Sequence, residues 1–180
     1  MKTEYEATFL DIDRSVFVEK LRHIGAALER KEYMQRRVTL ELPKEKRHAN
    51  TWLRVRDEGD KITLTLKSVE GTTIEDQKEV LVAVDDFENT VVLLESIGCE
   101  RKSYQESKRE LWKLGEVEIA IDTWPFLETY VEVEGPSEQS AKDAAATLGL
   151  DYDRAIFDTV NSVYKRKYGK TLDELDKEVL

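Results

Sequence analysis

Glu4 and Glu6 stand two apart near the start of the chain, and the same spacing of like charges returns in segment after segment. Arg54 and Arg56 repeat it in Trp52-Leu53-Arg54-Val55-Arg56, Glu116 and Glu118 before Asp122, and Glu132 and Glu134 in Tyr130-Val131-Glu132-Val133-Glu134. Successive side chains of a β-strand leave opposite faces, so each pair projects from one face while Leu53, Val55, Val117, Ile119, Val131 and Val133 project from the other. A strand facing water usually mixes signs, because like neighbours repel. Here each strand keeps one sign, and the sign changes between strands. Two like charges 4 Å apart repel by about 4 kcal/mol at an effective dielectric of 20, so clustered inward acids need compensation. Mg²⁺ and Mn²⁺ suit such hard oxygen ligands. The planar guanidinium of arginine suits phosphate oxygens, which it can bind with two parallel hydrogen bonds. Acidic and basic strands around one cavity therefore imply a polyphosphate chain with metal between it and the acids.

The elements that must position these residues can be read from periodicity. Residues 2–10 form a predicted strand, followed by a helix from about Arg14 with Asp13 as N-cap, an apolar stripe at Phe17, Leu21, Ile24 and Leu28, and an end at Gly25. Strands are predicted near 29–42 and 50–57, with a hairpin turn at Asp57-Glu58-Gly59-Asp60. Ile62, Leu64 and Leu66 alternate with Thr63, Thr65 and Lys67 in a further strand, and another runs from about Gln77 to Val84. Asp85 or Asp86 caps a second helix carrying Phe87, Val91 and Leu94, which ends at Gly98. Strands near 100–113, 116–123 and 128–134 follow, and the chain from Pro136 on reads as mostly helical.

The chain also echoes itself. Ile24-Gly25 before Glu29-Arg30-Lys31-Glu32-Tyr33 resembles Ile97-Gly98 before Glu100-Arg101-Lys102-Ser103-Tyr104. Each half reads strand, helix, then three strands. Two such halves can join into one closed, mostly antiparallel sheet of eight strands. The expected class is α+β: a closed eight-stranded antiparallel barrel with helices packed outside.

Composition narrows the function classes. The 180 residues fit one domain, 1–180, with the barrel mostly in 1–135 and helices in 136–180. A formal net charge of -10 argues against a nucleic-acid binder, although a local basic cluster can still hold a small anion. The single Cys99 cannot form an intramolecular disulfide, which points to a reduced, cytoplasmic setting. No apolar run approaches the roughly 20 residues of a membrane span. Monomer and homodimer both remain open.

In the order of its charged strands the chain resembles the CYTH superfamily, the triphosphate tunnel metalloenzymes, over about residues 2–135. Its N-terminal E-x-E-x-K strand is matched by Glu4 and Glu6, with Thr8 where lysine is usual. Leu53-Arg54-Val55-Arg56 resembles the basic strand of the family, and Lys67 its following lysine. Glu79 is similar to an acid on the next strand, Arg109 to the arginine of the later basic strand, Asp122 to the aspartate, and Glu132 with Glu134 to the closing acidic pair. Arg37 resembles a further arginine. The resemblance implies triphosphate binding by Arg37, Arg54, Arg56, Lys67 and Arg109, and Mg²⁺ or Mn²⁺ held by Glu4, Glu6, Glu79, Asp122, Glu132 and Glu134. Glu4, Glu6, Lys67 and Arg109 are the implied catalytic set. The resemblance further implies an enzyme that hydrolyses inorganic or organic triphosphate, thiamine triphosphate included. The alternatives are a class IV adenylyl cyclase making cyclic AMP and pyrophosphate from ATP, and a non-catalytic polyphosphate- or nucleotide-binding module. The reading of the remaining residues is plainer. Trp52, Trp112 and Trp124 are expected in the core or at the barrel rim. Lys165-Arg166-Lys167 and His48 are expected on solvated surface or across a tunnel mouth.

Overall fold

The order strand, helix, three strands occurs twice in succession, as the internal echo predicts, and helices complete the chain. The strands are β1 (Lys2–Thr3), β2 (Tyr5–Phe9), β3 (Ala27–Glu41), β4 (Thr51–Asp57), β5 (Ile62–Val69), β6 (Gln77–Val84), β7 (Glu100–Leu114), β8 (Val117–Thr123) and β9 (Tyr130–Gly135). The helices are α1 (Arg14–His23), α2 (Phe87–Ser96), α3 (Glu138–Leu148) and α4 (Val160–Tyr168). This computed structural model describes residues 1–172 and 174–175, so the last part of the expected C-terminal helical region lies outside the described residues.

The strands form one antiparallel sheet in the order β1-β6-β5-β4-β3-β7-β8-β9-β2. Nine strands stand where eight are expected because the N-terminal strand is divided at Glu4. Its first part pairs with β6, Lys2 opposite Glu79, and its second with β9, Glu6 opposite Glu134. The Glu4 amide spans the switch by donating to the Gln77 carbonyl at 2.9 Å. One segment thus joins both ends of the sheet, and the barrel closes through it.

Apolar strand faces point outward here, which inverts the usual barrel and explains the need for helices. Phe17, Val18 and Leu21 of α1 and Ala144, Ala145 and Leu148 of α3 cover Ala7, Phe9, Ile119, Ile121, Val131 and Val133 in one cluster. Phe87, Val91 and Leu94 of α2 cover Val38, Leu40 and Val55 in another. A third, of Trp124, Tyr130, Tyr164 and Leu172, lies below α4. Asp13 caps α1, accepting from the Ser15 and Val16 amides at 2.9 and 3.0 Å, and Asp86 caps α2 by accepting from the Asn89 amide. Arg14 is tied to Glu110 at 2.7 Å, and the Trp112 indole donates to the same carboxylate at 2.6 Å, which fixes the start of α1 against the sheet.

Two sequence expectations need correction. Leu28 is not on the α1 stripe: Gly25, at φ 79°, ends the helix and turns the chain, so Leu28 lies in β3 opposite Trp112. Glu116 does not share a strand face with Glu118, because the tight turn at Gly115 (φ 61°) takes it into the connection before β8. No helix among the described residues is long and apolar enough to cross a membrane.

Leu21 is fully buried beneath α1, whereas Val16 on the same helix is 64% exposed. Leu21→Ala should lower stability by about 2–5 kcal/mol, and Val16→Ala by no more than about 0.5 kcal/mol. Urea unfolding of the two variants beside the parent checks this packing.

Candidate functional site

Alternation places the repeated charges, Glu116 excepted, on the inner face of the barrel. Lys67 on β5, Arg54 and Arg56 on β4, Arg37 on β3 and Arg109 on β7 occupy four neighbouring strands. Glu118 and Asp122 on β8, Glu132 and Glu134 on β9, Glu4 and Glu6 at the N-terminal strand and Glu79 on β6 occupy the others. The interior is thus split into a basic half-wall facing an acidic one, around a cavity of about 910 Å³.

Within each wall, like charges stand directly opposite across paired strands: Arg37 and Arg56, Glu6 and Glu134, Glu118 and Glu134. Besides the pair of Arg56 with Glu58, just after β4, opposite charges meet at two seams. At one, Arg109 lies across from Asp122, donating through Nε at 2.8 Å and Nη2 at 2.5 Å, and Nη2 also reaches Glu132 at 2.5 Å. At the other, Lys67 lies across from Glu79 and pairs with Glu4 at 2.9 Å.

The acidic wall carries surplus negative charge. Burial, with the charge of Glu132 next in weight and those of Glu4 and Glu134 behind it, raises the Glu6 carboxyl well above the ordinary carboxylate range. Burial and the charge of Glu4 raise Glu79 too, which shares a hydrogen bond with Glu4. Burial, then Glu4 and Glu118, push Glu134 up to about 7. Glu132 is the exception, lowered despite its burial by Arg109, Lys67 and Arg37.

The basic wall has the mirror problem. Burial and the neighbouring arginines push Arg37 down to about 9 and Arg54 to about 10, so both stay charged at neutral pH. Arg54 makes no ion pair among the described residues, and the Nε atoms of Arg37, Arg54 and Arg56 are buried without a hydrogen-bond acceptor. Arg37 is oriented by Gln35 at 2.6 Å and Ser107 at 2.7 Å, with its guanidinium over the Trp124 ring. Cationic donors without acceptors on one wall face acids short of cations on the other. A ligand that is itself an anion with bound cations satisfies both.

The sequence matches the CYTH domain over residues 3–162. The chain belongs to the CYTH family. Solved structures share its fold at low identity. A conserved hypothetical protein of Pyrococcus furiosus is 23% identical, with a TM-score of 0.72 over 87% of this chain and 96% of that one. A candidate adenylate cyclase of Vibrio parahaemolyticus is 12% identical, with a TM-score of 0.78 over 91% and 98%. HpAC1 of Hippeastrum, a candidate adenylyl cyclase with a dominant triphosphatase activity, is 13% identical, with a TM-score of 0.60 over 93% and 96%. No curated protein sequence matches the chain. CYTH proteins in general bind triphosphates and depend on metal.

In this CYTH barrel the eleven residues marked out by sequence all lie on the inner face. Arg109 differs most from expectation in its surroundings, being tied to Asp122 and Glu132 at a seam. Thr8 is buried on the tunnel-side face opposite Glu132, and the positive charge near Glu132 comes from Arg109, Lys67 and Arg37. Trp112 is core, but Trp52 and Trp124 line the cavity, as do His48 and Lys165. Sequence reading missed Glu58. Its place in the hairpin turn gives no sign of a site role, yet it is buried and takes Arg56 at 2.7 Å and Lys61 at 3.3 Å. The available signal was its position two residues after Arg56, which keeps it on the arginine face.

Glu134 supplies a pH test with a definite sign. Its pKa in the fold, about 7, exceeds the ordinary 4.5, so its stabilising contribution is complete below about pH 4.5 and lost as pH rises through 7. Glu134→Gln keeps the neutral form at every pH. In metal-free buffer the variant should gain on the parent between pH 5 and 8, by up to about 3 kcal/mol. A stability gap equal at both pH values in urea unfolding would exclude the crowding of this carboxylate.

Proposed function

We propose that this chain is a metal-dependent triphosphatase, hydrolysing inorganic or organic triphosphate inside its charged barrel. The observation that carries the reading is the division of the inner surface into a four-strand basic wall and a facing acidic wall, each frustrated without a ligand. A triphosphate laid on Arg37, Arg54, Arg56 and Lys67 gives their donors acceptor oxygens, and the buried guanidinium groups hold the chain in one orientation.

The acidic side fits Mg²⁺ or Mn²⁺ in chemistry: it offers hard carboxylate oxygens, of which those of Glu6 and Glu134 are raised in proton affinity by burial and then by neighbouring acids. Glu4, Glu6, Glu79, Asp122, Glu132 and Glu134 are the residues that would hold such ions. Among the described residues no three acidic, histidine or cysteine side chains are already gathered as a ligand set. Lys67 and Arg109 instead pair with Glu4, Asp122 and Glu132, so an ion held by these acids would take over part of the neutralisation that Lys67 and Arg109 supply. A bound divalent ion supplies neutralisation of developing charge and lowers the pKa of an attacking water. Lys67 and Arg109 stand at the seams, between the basic wall and the acids that would hold an ion. Arg109, whose charge is reinforced by Asp122 and Glu132 against the effect of burial, stays cationic throughout.

Turnover of inorganic triphosphate, ATP and thiamine triphosphate with Mg²⁺ or Mn²⁺ separates the readings. Phosphate release is expected. Cyclic AMP with pyrophosphate would point to cyclisation instead, and binding without products to a non-catalytic module. Glu6→Gln and Glu134→Gln should each abolish metal-dependent turnover, and the double variant should lose little more, since residues on one ion act as a unit. Arg54→Ala should weaken triphosphate binding by about 1.5–3 kcal/mol, the scale of a hydrogen bond to a charged group. Full turnover in all three single variants would defeat the assignment.

Thr8 yields a separate test. Thr8→Lys places a cation between Glu6 and Glu132, and it should tighten triphosphate binding and shift the pH optimum downward. Unchanged affinity and pH profile in calorimetry and rate measurements would remove position 8 from the site.

A further inference from the structure

β6 is paired along only one of its edges for most of its length. On one edge β5 pairs with it along its whole length, from Val69 opposite Gln77 to Ile62 opposite Val84. On the other edge β1 reaches only Lys78 and Glu79, with the Glu4 amide on the Gln77 carbonyl beyond them. Past Glu79 nothing among the described residues pairs with that edge. Backbone polar groups alternate in direction along an antiparallel strand. Because the Gln77 carbonyl points to the N-terminal strand, those of Leu81 and Ala83 point out of the free edge, while those of Val80, Val82 and Val84 face β5.

The side chains are as open as the backbone: Val80 is 46% exposed, Leu81 45% and Val82 48%. A sheet edge of this kind is normally blunted by lysine, proline or a bulge. Val80-Leu81-Val82-Ala83-Val84 has none of these, and its register with β5 is unbroken.

We propose that this edge is a homodimer interface, in which β6 of a second copy pairs antiparallel with it about a two-fold axis at Val82. The register follows from the free groups. Leu81 of each copy faces Ala83 of the other, and the two reciprocal pairs exchange four hydrogen bonds. Val82 faces Val82, and Val80 faces Val84. The flanking charges select a second copy over a strand of arbitrary sequence. Lys2 and Lys78 lie at one end of the run, and Asp85 and Asp86 at the other. Antiparallel self-pairing brings Asp86 of each copy towards Lys78 of the other, and Asp85 towards Lys2, which stands opposite Glu79, whereas parallel pairing sets like charges together. An isologous interface requires such self-complementarity. Leu66 and Leu64, half-buried opposite Val80 and Val82, continue the apolar surface.

Sedimentation equilibrium from about 1 to 100 µM, with hydrogen exchange read at the Leu81 and Ala83 amides, tests the pairing. The parent should dimerise in this range, with both amides protected. Val82→Lys, at an exposed position, should raise the dimer dissociation constant at least about tenfold and release both amides without altering the unfolding midpoint of the monomer. Asp85→Lys should weaken the dimer, and Lys2→Glu in the same chain should restore it. A protein monomeric throughout the range would overturn the proposal. So would a dimer that tolerates Val82→Lys, or one in which these amides exchange freely. Failure of the charge swap to restore an Asp85→Lys dimer would overturn the register.

Discussion

Everything inside this barrel depends on the hydrogen bonding of residues 2–9 to two different strands. The segment gives its first two residues to β6 and its next five to β9, and the exchange occurs at Glu4. Without it the sheet has two distant edges, and the acidic wall is divided between them. With it, Glu4 and Glu6 are brought beside Glu79 and Glu134, and Glu6, Glu79 and Glu134 are raised in proton affinity by burial and by the acids around them. The closure also explains why the strand is interrupted at this point. Pairing with β6 ends at Thr3 and pairing with β9 begins at Tyr5, so Glu4 between them belongs to neither ladder.

The electrostatic arrangement follows from that geometry. Strands that form a continuous basic arc must meet a continuous acidic arc twice, and the two meeting lines hold the pairs of Arg109 with Asp122 and Lys67 with Glu4. Between the seams the walls remain mismatched. The outward apolar faces under α1, α2 and α3 supply the stability that this interior withholds, since burying apolar area contributes roughly 25 cal/mol per Å². The fold therefore separates its labour by face: cohesion outside, unsatisfied charge inside.

Much of this was legible in the sequence because alternation is a local signal. The inward direction of Arg54, Arg56, Glu132 and Glu134 follows from their spacing among valines and leucines. The helix caps at Asp13 and Asp86 follow from residue type. The strand–helix–three-strand repeat emerged from two short echoes. Pairing across the ring was less accessible, because it depends on register between segments far apart. That is why the division of the N-terminal strand at Glu4 and the attachment of Arg109 to two acids were not legible. Glu58 and Glu116 show the local version of the same limit. Each lies at a strand end, where one turn residue decides between the cavity and solvent. Leu28 was misplaced because Gly25 ends the helical period sooner than the apolar pattern does.

The division of the first strand has a consequence for how the molecule is made. Tyr5–Phe9 are synthesised before the rest of the barrel they close, yet their partners on β9 are the last residues of the barrel sequence. Glu6 cannot meet Glu134 until almost the whole sheet has been synthesised, so closing the ring is the contact of greatest sequence separation and the one most opposed by chain entropy. Until that moment β9 and the second half of the N-terminal strand are both open edges, and each is bordered by carboxylates that keep like chains apart. The acids that crowd the finished cavity thus also guard the nascent chain, at the stage when its edges are most prone to wrong pairing.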